Sequence, residues 1–161
     1  MAVKTPLVLG SDGLVQQLQA GDSINVAAST YNSRSVTNAE SAAAIVIGAP
    51  VYAFAADQVK KGIATAKATA KLVGLGLDPT IAAAATGNII TSGILVATTA
   101  QWDAVAGTTG GLVFNTPYFL SATAGLLTAA PPVTVGQCVV LVGIALSTTE
   151  LLVEIDPPIL L

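Results

Sequence analysis

Pro117-Tyr118-Phe119-Leu120-Ser121, Ala124-Gly125-Leu126-Leu127-Thr128, Pro131-Pro132, Gly136-Gln137, Val140-Leu141-Val142-Gly143-Ile144-Ala145-Leu146-Ser147 and Glu150-Leu151-Leu152-Val153-Glu154-Ile155 follow one another in the last third of the chain. Each apolar run has strand length, and each is closed by glycine, proline or serine, the residues that punctuate strands. Tyr118 to Leu120 reads as one strand and Cys138 to Leu146 as another that is apolar throughout. Ser147-Thr148-Thr149 turns the chain into Glu150 to Ile155. There Leu151, Val153 and Ile155 face one way and Glu150, Leu152 and Glu154 the other, the pattern of a half-buried strand. Many short strands joined by glycine-rich turns predict a mainly β protein, a small barrel or sandwich with one or two short helices and an extended N-terminal arm.

The pattern continues upstream. Ala44-Ile45-Val46-Ile47, closed by Gly48 and Pro50, and Val51-Tyr52-Ala53-Phe54 read as strands. So does Leu72-Val73-Gly74-Leu75-Gly76-Leu77, whose glycines suggest a bulge or close backbone approach. Its Leu-Val-Gly opening is echoed at Leu141-Val142-Gly143, which would fit two equivalent strands of one barrel. Ile89 to Val96 reads as a hairpin turning at Ser92-Gly93. Ile63 to Lys71 fits alternation or a helical face, and is read as a strand ending in a helical turn. The clearest helix is short: Thr98 can cap it, Gln101 holds the reciprocal capping-box position and Gly107 can stop it. Trp102 inside it is expected to be a packing anchor. Residues 31–41, with Asn32, Ser33, Arg34, Ser35, Thr37 and Asn38, read as a polar loop. The expected division is therefore an arm and linker over 1–41 and a β-rich body over 42–161. Within the arm, Thr5 to Leu9 is strand-like and Gly10 to Gly13 is a turn cluster. By pattern alone residues 1–30 fit a frayed terminus or an arm reaching a neighbouring subunit equally well.

Composition narrows the function. Of the 161 residues, 9% are charged, against about 25% in a typical soluble domain. So few charges predict that much of the surface faces other subunits. The six basic residues, Lys4, Arg34, Lys60, Lys61, Lys67 and Lys71, all precede residue 72, and the net charge is −3. That is no footprint for nucleic acid, and Lys60 to Lys71 reads as a solvated face. No residue between Asp103 and Glu150 is charged. Glycines and prolines break that stretch too often for a spanning helix, so no membrane partner is expected. The N-terminus has no apolar core of a signal peptide.

Little reactive chemistry is present. The chain has no histidine and one cysteine, Cys138. Ser-His and Cys-His pairs and imidazole metal sites are thereby excluded. Cys138, beside Val139, Val140 and Leu141, reads as a buried small hydrophobe. Glu150, Glu154 and Asp156 could in principle do acid–base work or hold a hard cation, but polar edging of a strand is preferred. Asp12 and Asp22 sit in turn clusters, and the glycine pairs lack the Gly-Lys-Ser/Thr of a phosphate loop. No catalytic, cofactor-binding or metal-binding residue is assigned, and no cofactor is expected.

Three stretches carry a family resemblance: Leu7-Val8-Leu9-Gly10-Ser11-Asp12-Gly13-Leu14-Val15-Gln16-Gln17-Leu18-Gln19-Ala20-Gly21-Asp22; Thr98-Thr99-Ala100-Gln101-Trp102-Asp103-Ala104-Val105-Ala106-Gly107 with Gly110-Gly111-Leu112; and the C-terminal run quoted above. Together they resemble the tailed-bacteriophage head decoration (capsid cement) proteins. The family's tyrosine pair before Leu-Ser stands here as Tyr118-Phe119. The resemblance implies a non-enzymatic virion protein, made in the host bacterial cytoplasm, that binds the outer capsid surface and bridges major capsid protein subunits. It also implies a homotrimer suited to a symmetric site. The alternative is a tail fibre or baseplate module contacting the host surface. It would call for a groove or aromatic cluster, and Tyr31, Tyr52 and Tyr118 are the only tyrosines. A virion enzyme is disfavoured by the missing histidines and the lack of a convincing carboxylate pair.

Overall fold

The computed structural model describes residues 31–161 and, before them, the backbone of two short strands, β1 (Leu7–Leu9) and β2 (Val15–Gln17). These two pair antiparallel, Leu7 opposite Gln17 and Leu9 opposite Val15. The rest of the expected arm lies outside the described residues.

The body follows as β3 (Tyr31–Asn38), β4 (Ile45–Val46), β5 (Pro50–Ala55), β6 (Gln58–Lys61), β7 (Leu72–Gly76), β8 (Thr80–Ile81), β9 (Thr86–Val96), α1 (Thr99–Ala106), β10 (Pro117–Leu120), β11 (Leu127–Thr128), β12 (Cys138–Val139), β13 (Leu141–Ala145), β14 (Glu150–Val153) and β15 (Ile159–Leu160). Strands β9, β3, β6, β5 and β7 form a closed barrel, with β7 returning to pair with β9. All its pairings are antiparallel except β3 with β6. The C-terminal half of β9 leaves the barrel and carries a second wall of β14, β13, β10 and β11. The protein is thus mainly β, as expected, with a barrel and one helix among the described residues.

Strand β9 joins two cores because successive side chains on a strand point to opposite faces. Ile89 fills the barrel with Val36, Val51 and Val59, capped by Ile45, Ala49 and Ile81. Its neighbour Ile90 enters the second core, built from Trp102, Tyr118, Leu120, Val142 and Leu151. A five-stranded barrel leaves an interior that side chains can fill.

Five expectations need correction. Residues 31–41 are not a linker: Tyr31–Asn38 is a barrel strand paired along β9 from Tyr31–Gly93 to Thr37–Thr86. Tyr31 to Ser35 are exposed and only Val36 points into the barrel core, so the strand shows no apolar alternation. Ile89 to Val96 is not a hairpin but part of one 11-residue strand. Its register slips near Thr91, where Asn32 faces Ser92 and Ser33 faces Ile90. Gly93, at φ 107°, serves this bend rather than a turn. Ile63 to Lys71 is neither strand nor helix. It is a loop of turns in which the Thr69 hydroxyl donates to the Ile63 carbonyl and Ala64 and Ala70 are buried. Alanines there are small enough for the loop to pack on the core. Cys138 to Leu146 is broken at Val140 into β12 and β13, which pair with different partners. The Leu-Val-Gly echo also divides: β7 is a barrel strand, whereas β13 stands in the outer wall.

Helix α1 is as read. The Thr98 hydroxyl accepts from the Gln101 N–H at 3.3 Å, and the Gln101 side-chain oxygen accepts from the Thr98 N–H at 2.8 Å. Gly107 closes the helix in the left-handed region, its N–H donating to Asp103.

Candidate functional site

The residues with reactive side chains do not converge. Cys138 is buried, and its N–H donates to the Ala64 carbonyl at 2.7 Å. Glu150 lies in β14, but the strand ends at Val153, so Glu154 and Asp156 lie beyond it. Among the described residues no group of three Cys, Asp or Glu stands close enough to hold a metal ion. No described helix is long and apolar enough to cross a membrane.

The basic residues are spread. Lys60 lies over the Phe54 ring, 3.9 Å from its centroid. Lys61 uses its main-chain N–H to donate to the Glu40 carboxylate. Arg34 pairs with Asp57 at 2.6 Å at one mouth of the barrel, with both side chains mostly exposed. An ion pair so open to water contributes little. The hollow beneath it, reaching Val36, Val59 and Ile89, offers about 60 Å³, room for a few waters and not for a substrate.

Asp103 has a structural task. Its carboxylate accepts from the Gly111 N–H at 2.8 Å, the Gly110 N–H at 3.0 Å and the Thr108 hydroxyl at 2.9 Å. The Gly111 bond is the main cause that draws its pKa below the ordinary aspartate value; desolvation opposes it, and the Gly110 and Thr108 bonds add to it. The folded state therefore favours the ionised form. That contribution is complete above the unfolded aspartate pKa and is lost as pH falls through the lower folded value. Asp103→Asn should lower the thermal midpoint at neutral pH, and the gap to wild type should close as the medium is acidified past the aspartate range. A gap that stays constant down to low pH would contradict this role.

What the surface does present is apolar side chains. Val113 and Phe114, 58% and 71% exposed, lie on the loop that Asp103 ties to α1. This loop crosses the end of β13, with the Leu112 N–H bonded to Thr148 and the Asn115 N–H to Ala145. Leu146 and Val96 are exposed beside it. A second set, Val133, Val135, Ile159, Leu160 and Leu161, is exposed near the start of β13. Strand β13 rises roughly 17 Å over its length, so the two sets sit at opposite ends of the outer wall. Sequence reading missed both. Val133 and Val135 flank a threonine in a Pro-rich loop, and nothing local says that they stay uncovered.

No family model matches the chain, and comparison with curated proteins and with solved structures gave no match.

Proposed function

We propose that this chain is a non-catalytic virion protein of a tailed phage that binds the outer face of the capsid and bridges neighbouring major capsid subunits, working as a homotrimer. The observation that carries the proposal is the surface. Side chains such as Phe114, Val133, Val135 and Ile159 stand open on a body whose described buried side-chain polar atoms all have partners. Its charged residues are few and scattered. Such a surface suits permanent burial against other subunits. The sequence resemblance to capsid cement proteins supplies the partner. A protein that binds the assembled shell and not its dissociated subunits stabilises the shell by mass action, and many copies reinforce one another.

The test is to titrate the chain onto expanded capsids of its own phage that lack it, at low and at high salt. Apolar contact is nearly indifferent to screening, whereas contact through charge weakens as the screening length falls below about 8 Å. Occupancy should change by no more than a few-fold between the two conditions. Absence of binding would overturn the proposal. A loss of orders of magnitude at high salt would transfer the contact to Lys60, Lys61, Lys67 and Lys71.

A further inference from the structure

We infer that the C-terminal ribbon, β12 with β15 and the loop before them, is the surface through which copies of this chain associate with one another. The inference rests on the self-association in the proposed function and is independent of the capsid. β15 pairs with β12 alone, Ile159 opposite Val139 and Leu160 opposite Cys138. The loop is tied to the same ribbon, because the Gly136 N–H donates to the Leu161 carbonyl and the Leu161 N–H to the Gln137 carbonyl. Val133, Val135, Ile159, Leu160 and Leu161, at 86, 87, 65, 56 and 41% exposure, therefore belong to one hydrogen-bonded unit.

Its edge is open. In an antiparallel ladder, alternate pairs point their main-chain groups outward. Cys138 and Leu160 form such a pair: the Cys138 N–H turns away to Ala64, and the main-chain groups of Leu160 face the outer edge. No other described strand pairs there. Proteins usually guard an exposed edge with lysine, a bulge or an inward charge. Here no residue from Pro131 to Thr149 and none from Pro157 to Leu161 is charged.

Charge and area select the occupant. A ribbon with no charged side chain has no complement in a charged partner, whereas a second copy offers the same uncharged side chains. Ile159 and Leu160, neighbours in β15, face opposite ways, so the apolar surface wraps around the ribbon, and the five side chains together expose on the order of 500 Å². A stable interface buries about 800 Å² per partner, somewhat over half of it apolar. The ribbon supplies much of that apolar share, and about the axis of a closed trimer the ribbons of all three copies meet one another.

The experiment is light scattering on the full chain at micromolar concentration, with Val135→Asp, Ile159→Asp and the control Phe114→Asp. Wild type and the control should be heavier than the 15.9 kDa monomer. Each ribbon variant should be monomeric, with self-association weakened by about 30-fold or more and an unchanged far-UV spectrum. If Ile159→Asp does not fold, the loop double variant Val133→Asp with Val135→Asp reads the same surface outside regular strands. Ribbon variants that stay oligomeric would overturn the assignment and leave self-association standing. A monomeric wild type would overturn both, and the capsid titration would still decide the capsid contact separately. Dissociation by Phe114→Asp instead would move the interface to the other end of β13.

Discussion

Replacing Trp102 with alanine is expected to cost about 3–5 kcal/mol, the largest single effect in the chain. The indole is completely buried in the core between α1 and the outer wall. Its N–H donates to the Thr149 carbonyl at 3.0 Å, so it joins the helix to the turn before β14. The six-membered ring of the indole lies against Gly48, where a Cβ would come within 2.8 Å of it. Gly48 also has φ 79°, so the turn after β4 and the ring are fitted to each other. Alanine would leave a cavity over Gly48 and remove one of the two donors to the Thr149 carbonyl, which keeps the Ala97 N–H at 3.0 Å. Against a total stability of about 5–15 kcal/mol, that loss brings the domain near its unfolding threshold. Phenylalanine should fill most of the space and lose chiefly the hydrogen bond, costing about 0.5–1.5 kcal/mol. Urea midpoints of the two variants measure this. Equal midpoints would mean that the ring's bulk contributes nothing beyond its N–H, contrary to the packing described.

The strands that were legible share one property: a side-chain pattern tied to a buried face. Leu72 to Leu77, Tyr118 to Leu120 and Glu150 to Ile155 announce themselves because aliphatic or aromatic residues must leave water. In β14 the burial of Leu151 and Val153 follows the alternation that was read. Tyr31–Asn38 hid because its membership of the barrel depends on main-chain pairing with β9, while five of its eight side chains face water. The sign that it closes a barrel corner is Asn38, completely buried. Its amide donates to the Ala43 and Ile81 carbonyls and its oxygen accepts from the Glu40 N–H. In the sequence this asparagine looks like any loop residue. The continuous β9 hid for the opposite reason: Ser92-Gly93 is a good turn pair, and only partners on both sides show that the chain runs straight through. Low charge was legible as a statement about the surface. Where the uncovered apolar residues gather was not, since Val133 and Ile159 meet only through the β12–β15 pairing and the loop bonds at Gly136 and Leu161.

Gly143→Ala is expected to cost about 1–3 kcal/mol, although the change adds one methyl group and alanine accepts strand geometry. Gly143 lies in β13 between two neighbours, opposite Tyr118 of β10 and Val153 of β14. A Cβ there would run into the Leu152 carbonyl oxygen, with the Leu151 side chain close behind. The obstacle is main chain held in a ladder, so it cannot be relieved by rotating a side chain. Relief requires β13 and β14 to separate, which weakens the pairing that holds the outer wall to β9. Gly74 in β7 has the same relation to the Ile90 carbonyl, so Gly74→Ala should strain the barrel as Gly143→Ala strains the wall. The Leu-Val-Gly echo thus has a physical basis without the two strands being equivalent: in each, glycine lets a backbone come closer than any side chain allows. Thermal unfolding of the two variants checks this. Both midpoints should fall by several degrees, and a midpoint equal to wild type for Gly143→Ala would show that the wall yields at little cost.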